Sequence, residues 1–556
     1  MEATHALGLL ALPVAAVAVA ALARRFGLAA PLVLVVAGLV AAALPGMPEV
    51  QLDPEFVLYV FLPPLLFVAA SESSYYNLRE NVGPIALLSV GLVLFTTLAV
   101  GYVAYLVVPG LPLSAAFALG AVLAPPDAVA AVSVARRLGL PRRMVTILVG
   151  ESLVNDATAL TAFRVALAAA VGEGFSLLDG AGRFLYAAAV GVAIGLALGP
   201  PLHWLRSRLA DPLVETAVPI FAPFAAYLLA EVVHASGVIA VVVSGLYLGY
   251  RSVQSGALTR VLGGAFWKVV VFVLESVVFL LIGLQLPLIL DALSTRSWGA
   301  LAWYAVAVFL AVVVARFVWV LPTESLPAWR WRWRRRRAGP RPDDHGRAVP
   351  PSPWPGSATA ASTPWRQRVI LSWAGMRGVV SLAAAFAIPF TVSDGRPFPE
   401  RDLLLFLTFT TVLGTLLLQG LTFPALIRRL GVGSEREQYT DQVAEAAAQH
   451  AAARAALERL EELAAEEASE VADEIVQRLR GHAEQRQLTA WERLGGGTGP
   501  AGEEVPSATY RRLRREMLAA ERAVFVRLRD ERRIDDEVLS RVLRELDLEE
   551  VMLSRD

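Results

Sequence analysis

Between Gly150 and Leu160 the chain reads Gly-Glu-Ser-Leu-Val-Asn-Asp-Ala-Thr-Ala-Leu. Two carboxylates, an amide and two hydroxyls thus sit inside a stretch that otherwise reads as membrane-spanning helix. A carboxylate near the bilayer centre costs roughly 3 kcal/mol on insertion scales, so such groups are found where helices enclose an ion or proton path. That feature predicts a polytopic transporter. Composition agrees, since 56% of the 556 residues are hydrophobic and 18% are charged, with a mean hydropathy of +0.54. This is too apolar for an ordinary soluble protein. The absence of cysteine excludes disulfides and thiolate metal sites.

Crossing a hydrocarbon core of about 30 Å takes about 20 helical residues. Apolar runs of that order fall near 6–23, 28–44, 55–72, 83–108, 113–135, 144–171, 182–202, 213–233, 237–250, 267–290, 299–321, 367–390 and 402–427. The expected fold is therefore all-α, with about thirteen transmembrane helices. The connections holding Arg24/Arg25, Arg79, Arg136 to Arg143, Arg206/Arg208, Arg251/Arg260, Arg330 to Arg337 and Arg428/Arg429 fall on one face. The intervening loops, such as Pro45–Glu55 and Glu173–Asp179, are acidic or nearly neutral. The positive-inside rule then puts the N-terminus outside and the C-terminus in the cytoplasm. The first apolar run lacks a basic leader and a clear cleavage site and reads as a retained helix.

Residues 1–430 are expected to form the membrane domain, interrupted at 322–366 by an Arg- and Pro-rich cytoplasmic loop. Residues 431–556 turn to Ala, Glu and Arg at helical spacing, with a break at Gly495–Gly499, and are expected to be a helical cytoplasmic tail.

Three polar clusters fall inside the spans. Ser152, Asn155 and Asp156 lie three and four residues apart and share a side of one helix. Their oxygens are hard ligands suited to Na⁺ or Li⁺, and a buried carboxylate also gains proton affinity, so one site can hold either ion. In Ala124-Pro125-Pro126-Asp127 the prolines remove two backbone donors and break the helix, leaving Asp127 as a cation ligand or a cap at the start of the next half-helix. In Gly375-Met376-Arg377-Gly378 two glycines loosen a span around a buried arginine that needs an anion. Glu151 and Asp127 are the candidates, and Glu151 is preferred, which makes Glu151 and Arg377 an expected structural ion pair.

These residues resemble the cation:proton antiporter-1 family of bacterial Na⁺/H⁺ antiporters, related to NhaP and the animal NHE exchangers. The likeness extends to Leu62-Pro63-Pro64-Leu65-Leu66-Phe67, to the stretch from Ala230 through Glu231 and His234 to Val238, to Leu281-Ile282-Gly283-Leu284-Gln285-Leu286, and to the tail ending Asp547-Leu548-Glu549-Glu550. The resemblance implies two inverted six-helix repeats with discontinuous crossing helices, a homodimer, and elevator-like alternating access. It implies that Asp156 carries the cation and proton, with Asp127, Ser152 and Asn155 assisting, and that Asp156, Asp127 and Ser152 are the Na⁺ ligands. An Asn before the Asp implies electroneutral exchange. The chain departs from the pattern at Val68, where many relatives carry an acid. Glu72, one turn later, either substitutes or sits at the interface. Glu275, in the middle of its span, is either a second titrating group or the partner of Lys268 or Arg316.

The function expected is secondary active Na⁺ (or Li⁺)/H⁺ antiport in a bacterial plasma membrane, with lipid as the surroundings, no cofactor and no nucleic-acid partner. K⁺/H⁺ exchange is the alternative, because oxygen ligands alone do not set an ionic radius. A cation channel is the reading from another class, and nothing in this chain resembles a selectivity-filter sequence. His5, His203 and His234 have no metal-ligand or nucleophile–base spacing, and no phosphate-cradling loop supports ATP-driven pumping.

Overall fold

The computed structural model describes residues 3–27, 30–43, 57–171, 177–209, 211–293, 296–323, 364–392, 395–432, 435–466, 474–481 and 506–531, with 533, 542–543, 546–550 and 553 beyond. Most of the 322–366 loop, the Pro45–Glu55 loop and the break at Gly495–Gly499 lie outside the described residues. The chain divides into two compact units, Met1–Gly433 and Ser434–Asp556.

Within the first unit every apolar run is occupied by helix: α1 (Ala3–Arg25), α2 (Ala30–Ala42), α3 (Leu62–Ser71), α4 (Tyr75–Glu80), α5 (Val82–Val107), α6 (Leu113–Leu123), α7 (Ala128–Arg137), α8 (Arg142–Val171), α9 (Leu177–Arg208), α10 (Pro212–Val232), α11 (Gly237–Arg251), α12 (Ala257–Ala292), α13 (Trp298–Thr323), α14 (Trp365–Trp373), α15 (Val379–Phe386) and α16 (Arg401–Leu430). The architecture is all-helical; the described residues hold no strand beyond one isolated bridge between Thr391 and Pro397. Seven helices among the described residues are long and apolar enough to cross a membrane, and α2, α3 and α6 are shorter apolar helices. This is a multi-pass membrane protein. The runs at 113–135 and 367–390 each resolve into two half-helices, α6/α7 and α14/α15, parted at Pro125-Pro126 and at Ala374–Gly378.

The helices gather into two bundles. The first holds α1, α2, α3 and α9 to α12; the second holds α5 to α8 and α13 to α16, and α4 links them. Local chemistry sets the starts of several helices. Asp211 caps α10, accepting from the Leu213 N–H at 2.8 Å with Pro212 at the first position, and Ser236 caps α11. At the arginine-rich end, Arg368 donates to the Leu321 carbonyl at 2.9 Å and Arg366 to that of Leu430 at 3.3 Å. Two cations on α14 thereby satisfy the exposed C-terminal carbonyls of α13 and α16.

In the second unit, α17 (Glu435–Glu466) carries exposed pairs such as Arg454 with Glu458. On α18 (Pro506–Asp530), Arg514 binds Glu549 at 2.6 Å, and Arg522 binds Asp547 and Glu550. The Arg514 guanidinium holds the Glu549 carboxyl below the usual carboxylate range.

A close crossing in the first bundle joins α2 and α12 through facing glycines. A Cβ on Gly283 would stand 2.9 Å from the Gly38 Cα and closer still to the Val35 carbonyl. Small residues at such a crossing let backbones approach where lipid supplies no hydrophobic drive. Gly283→Val should therefore lower stability by about 1–3 kcal/mol, read as a fall in the thermal midpoint of the detergent-purified protein.

Candidate functional site

The α8 segment that stands out in the sequence lies where the two bundles meet the broken helices. Glu151, Asn155 and Asp156 are 1%, 0% and 6% exposed, and Ser152, one turn before Asp156, is partly buried. Asn155 donates from Nδ2 to the Pro126 carbonyl at 2.8 Å, tying α8 to the first break. Its Oδ1 is buried without a hydrogen-bond partner among the described residues. The Asp156 carboxylate has neither a hydrogen bond nor an ion pair to any described residue, and the Asp127 carboxylate is near enough to interact with it electrostatically.

The two breaks hold each other. The Asp127 N–H donates to the Met376 carbonyl at 2.7 Å, and the Arg377 guanidinium donates to the Ala124 carbonyl at 2.6 Å. The Arg377 N–H in turn donates to Thr415 Oγ on α16 at 3.0 Å. Backbone groups freed by the prolines and glycines are thus satisfied inside the protein, the condition for irregular backbone at membrane depth. Gly378 lies against Asp127, so closely that a Cβ there would overlap the carboxyl group.

The expected Glu151–Arg377 pair is not what forms. Glu151 is held by Arg316 of α13, Nη1 to Oε1 at 2.5 Å and Nη2 to Oε2 at 2.8 Å, with both side chains 2% exposed. Arg316 Nε also donates to the Leu371 carbonyl. The fork geometry of a guanidinium suits this bidentate grip, and Arg377 is directed instead at the carbonyl end of α6, where a cation offsets the negative helix terminus. Arg316 could be found from sequence as a lone charge inside an apolar run, but its partner could not.

The accessory acids divide. Glu72 lies at the C-terminal end of α3, with its side chain 53% exposed and Arg136 of α7 4.0 Å away. The end of α3 thus carries it to the protein surface. Glu275 is paired with neither Lys268 nor Arg316, the latter being committed to Glu151. It forms no ion pair among the described residues, and its charged neighbours are Asp127 and Arg24, so α12 brings a third acid toward the site.

Among the described residues no group of three or more His, Cys, Asp or Glu gathers to hold a metal tightly. A carboxylate with amide, hydroxyl and carbonyl oxygens can bind a hard monovalent cation weakly enough to release it, and can take a proton instead.

The model of the sodium/hydrogen exchanger transmembrane family matches residues 12–429. An uncharacterised Na⁺/H⁺ exchanger of Mycobacterium tuberculosis is 34% identical over 552 residues, 98% of this chain and 95% of that protein. The sodium, potassium, lithium and rubidium/H⁺ antiporter of Bacillus pumilus is 32% identical over 414 residues, 71% of this chain and 57% of that protein. The Na⁺/H⁺ antiporter ApNhaP of Aphanothece halophytica is 31% identical over 419 residues, 74% of this chain and 72% of that protein. The fold is similar to that of the sodium proton antiporter MjNhaP1 from Methanocaldococcus jannaschii, with a TM-score of 0.59 and 19% identity over 78% of this chain and all of that one.

Arg316→Gln leaves Glu151 buried and unpaired, and should cost about 3–5 kcal/mol. Fluorescence-detected size exclusion should show its folded fraction collapsing. Gly378→Ala should leave the protein folded but displace Asp127 and slow exchange on the order of tenfold or more, measured in vesicles at matched abundance.

Proposed function

Because this chain belongs to the sodium/hydrogen exchanger family, we propose that it exchanges Na⁺ or Li⁺ for H⁺ across a bacterial plasma membrane, with both ions competing for the Asp156 carboxylate. One observation carries this reading: Asp156, 6% exposed and with no ion-pair partner among the described residues, stands midway along α8 beside Asp127 and the two hydrogen-bonded breaks. An unpaired charge so placed is costly unless an ion or proton neutralises it.

Ionised Asp156 binds the cation from the cytoplasmic side, with Asp127, Ser152 and the Asn155 amide oxygen as further ligands. Protonation on the outer side displaces it. Only the neutralised site crosses, because carrying a bare carboxylate through a low-dielectric barrier costs too much. Proton influx then drives cation efflux, one cation for one proton. Glu151 and Arg316 hold α8 to α13 and do not meet the ion, and Glu275 biases the field around Asp127.

In this reading residues 1–430 form the transporting domain, with the N-terminus outside and residues 431–556 in the cytoplasm, and two copies make a homodimer. The second bundle carries the ion past the first. The chain acts as a transporter and not as an enzyme. The Bacillus pumilus relative, described for potassium and rubidium as well as sodium and lithium, supports the K⁺/H⁺ alternative.

Inside-out vesicles loaded with a pH-sensitive dye and energised with acid inside should dequench on addition of Na⁺ or Li⁺, more than with K⁺. Reconstituted Asp156→Asn should fold and show no dequenching. Retained exchange in that variant would remove Asp156 from the role, and a response to K⁺ alone would replace the ion.

A further inference from the structure

Beyond the ion site, ion pairs among the described residues join the two bundles toward each end of the first unit. Arg164 of α8 donates through Nη2 to both oxygens of Glu231 on α10, at 3.2 and 3.1 Å. This pair lies toward the end away from the arginine-rich loops, two helical turns or about 12 Å beyond Asp156 along α8. At the arginine-rich end the pair is Glu72 with Arg136, at 4.0 Å with both side chains more than half exposed. The contrast lies in the grip and in the acid: Glu231 is held through both oxygens and its side chain is 20% exposed against 53% for Glu72, while the two arginines are equally open to solvent at 57% and 58%.

Glu231 is rigidly mounted on the first bundle. The turn that follows it, with His234 in the left-handed region, is pinned by Tyr186 donating to the Val233 carbonyl at 3.0 Å and by the Ser236 N–H donating to the Ala187 carbonyl at 3.0 Å. One turn before Glu231, Tyr227 is 2% exposed and meets Tyr59 edge to face with ring centroids 5.6 Å apart. Arg164 belongs to the other bundle and rides on the helix that carries Asp156. Any relative movement of the bundles that opens a path to Asp156 from this end must part Arg164 from Glu231.

We propose that Arg164 and Glu231 are positioning residues that latch the outer mouth over the Asp156 site, and that the latch opens to admit a hydrated monovalent cation or proton from outside. This rests on the reading of Asp156 as the exchange site, yet access can be measured without exchange.

The chain contains no cysteine, so a single one reports alone. Leu160, one turn outward of Asp156, packs against apolar clusters of both bundles. In full-length Leu160→Cys, a membrane-impermeant thiol reagent added outside should label slowly. Adding Arg164→Gln or Glu231→Gln should speed labelling about fivefold, equivalent to about 1 kcal/mol, and the double exchange Arg164→Glu with Glu231→Arg should slow it again. Monodisperse elution of each variant separates opening from unfolding, and recovery in the charge-reversed pair separates the latch from local damage. Equal labelling in the parent and both single variants would overturn the latch, as would a charge-reversed pair labelling as fast as the singles. Loss of exchange in Asp156→Asn, or its retention, bears on the ion site and leaves the labelling result unaffected.

Discussion

Two interrupted helices meet at their breaks, and much else in the membrane unit answers to the need to satisfy their backbone there. An unpaired N–H or carbonyl in hydrocarbon costs several kcal/mol, so a break is tolerated only where another element supplies partners. Here the breaks supply each other, through Asp127 N–H to Met376 carbonyl and Arg377 to Ala124 carbonyl. Asn155 and Thr415 lend side-chain groups from α8 and α16. The residues that close the backbone accounts are therefore neighbours of the residues proposed to meet the ion, and strain on one set reaches the other.

The charges sort by whether they are balanced inside one bundle. Glu151 and Arg316 neutralise each other within the second bundle, which fastens α8 to α13 without spending the Asp156 carboxylate. Asp156 has no ion-pair partner among the described residues and feels the Asp127 carboxylate nearby, so a mobile cation or proton there lowers the energy. Arg164 with Glu231 and Glu72 with Arg136 bridge from one bundle to the other. The fixed Glu151–Arg316 pair thus stiffens the second bundle, while pairs across the seam depend on how the bundles stand.

Much of this was legible in the residues. The α-helical class followed from run length and hydropathy, and the breaks from Pro125-Pro126 and from the glycines around Arg377, because those residue types disrupt helix wherever they stand. That Asp156 is buried followed from its place in an apolar run. Pairing was not legible. Arg377 and Arg316 are both buried arginines in the second half of the chain, and nothing in their local spacing says which reaches Glu151. The answer turns on α13 packing beside α14, which puts Arg316 against Gly375, where no side chain stands in its way. Glu72 shows the same limit: its spacing from Val68 is right for substitution, but the end of α3 carries it to the surface.

By itself the sequence determined that this chain must live in a membrane, where its helices break, and that a carboxylate at position 156 would be stranded there unless something neutral or cationic joined it. These follow from transfer energies and backbone chemistry, which act locally. Only the tertiary structure decided which arginine meets Glu151, that the two breaks close on each other, and that Arg164 faces Glu231. Each depends on side chains distant in sequence being brought within about 3 Å, a distance set by how whole helices pack and not by any residue's neighbours in the chain.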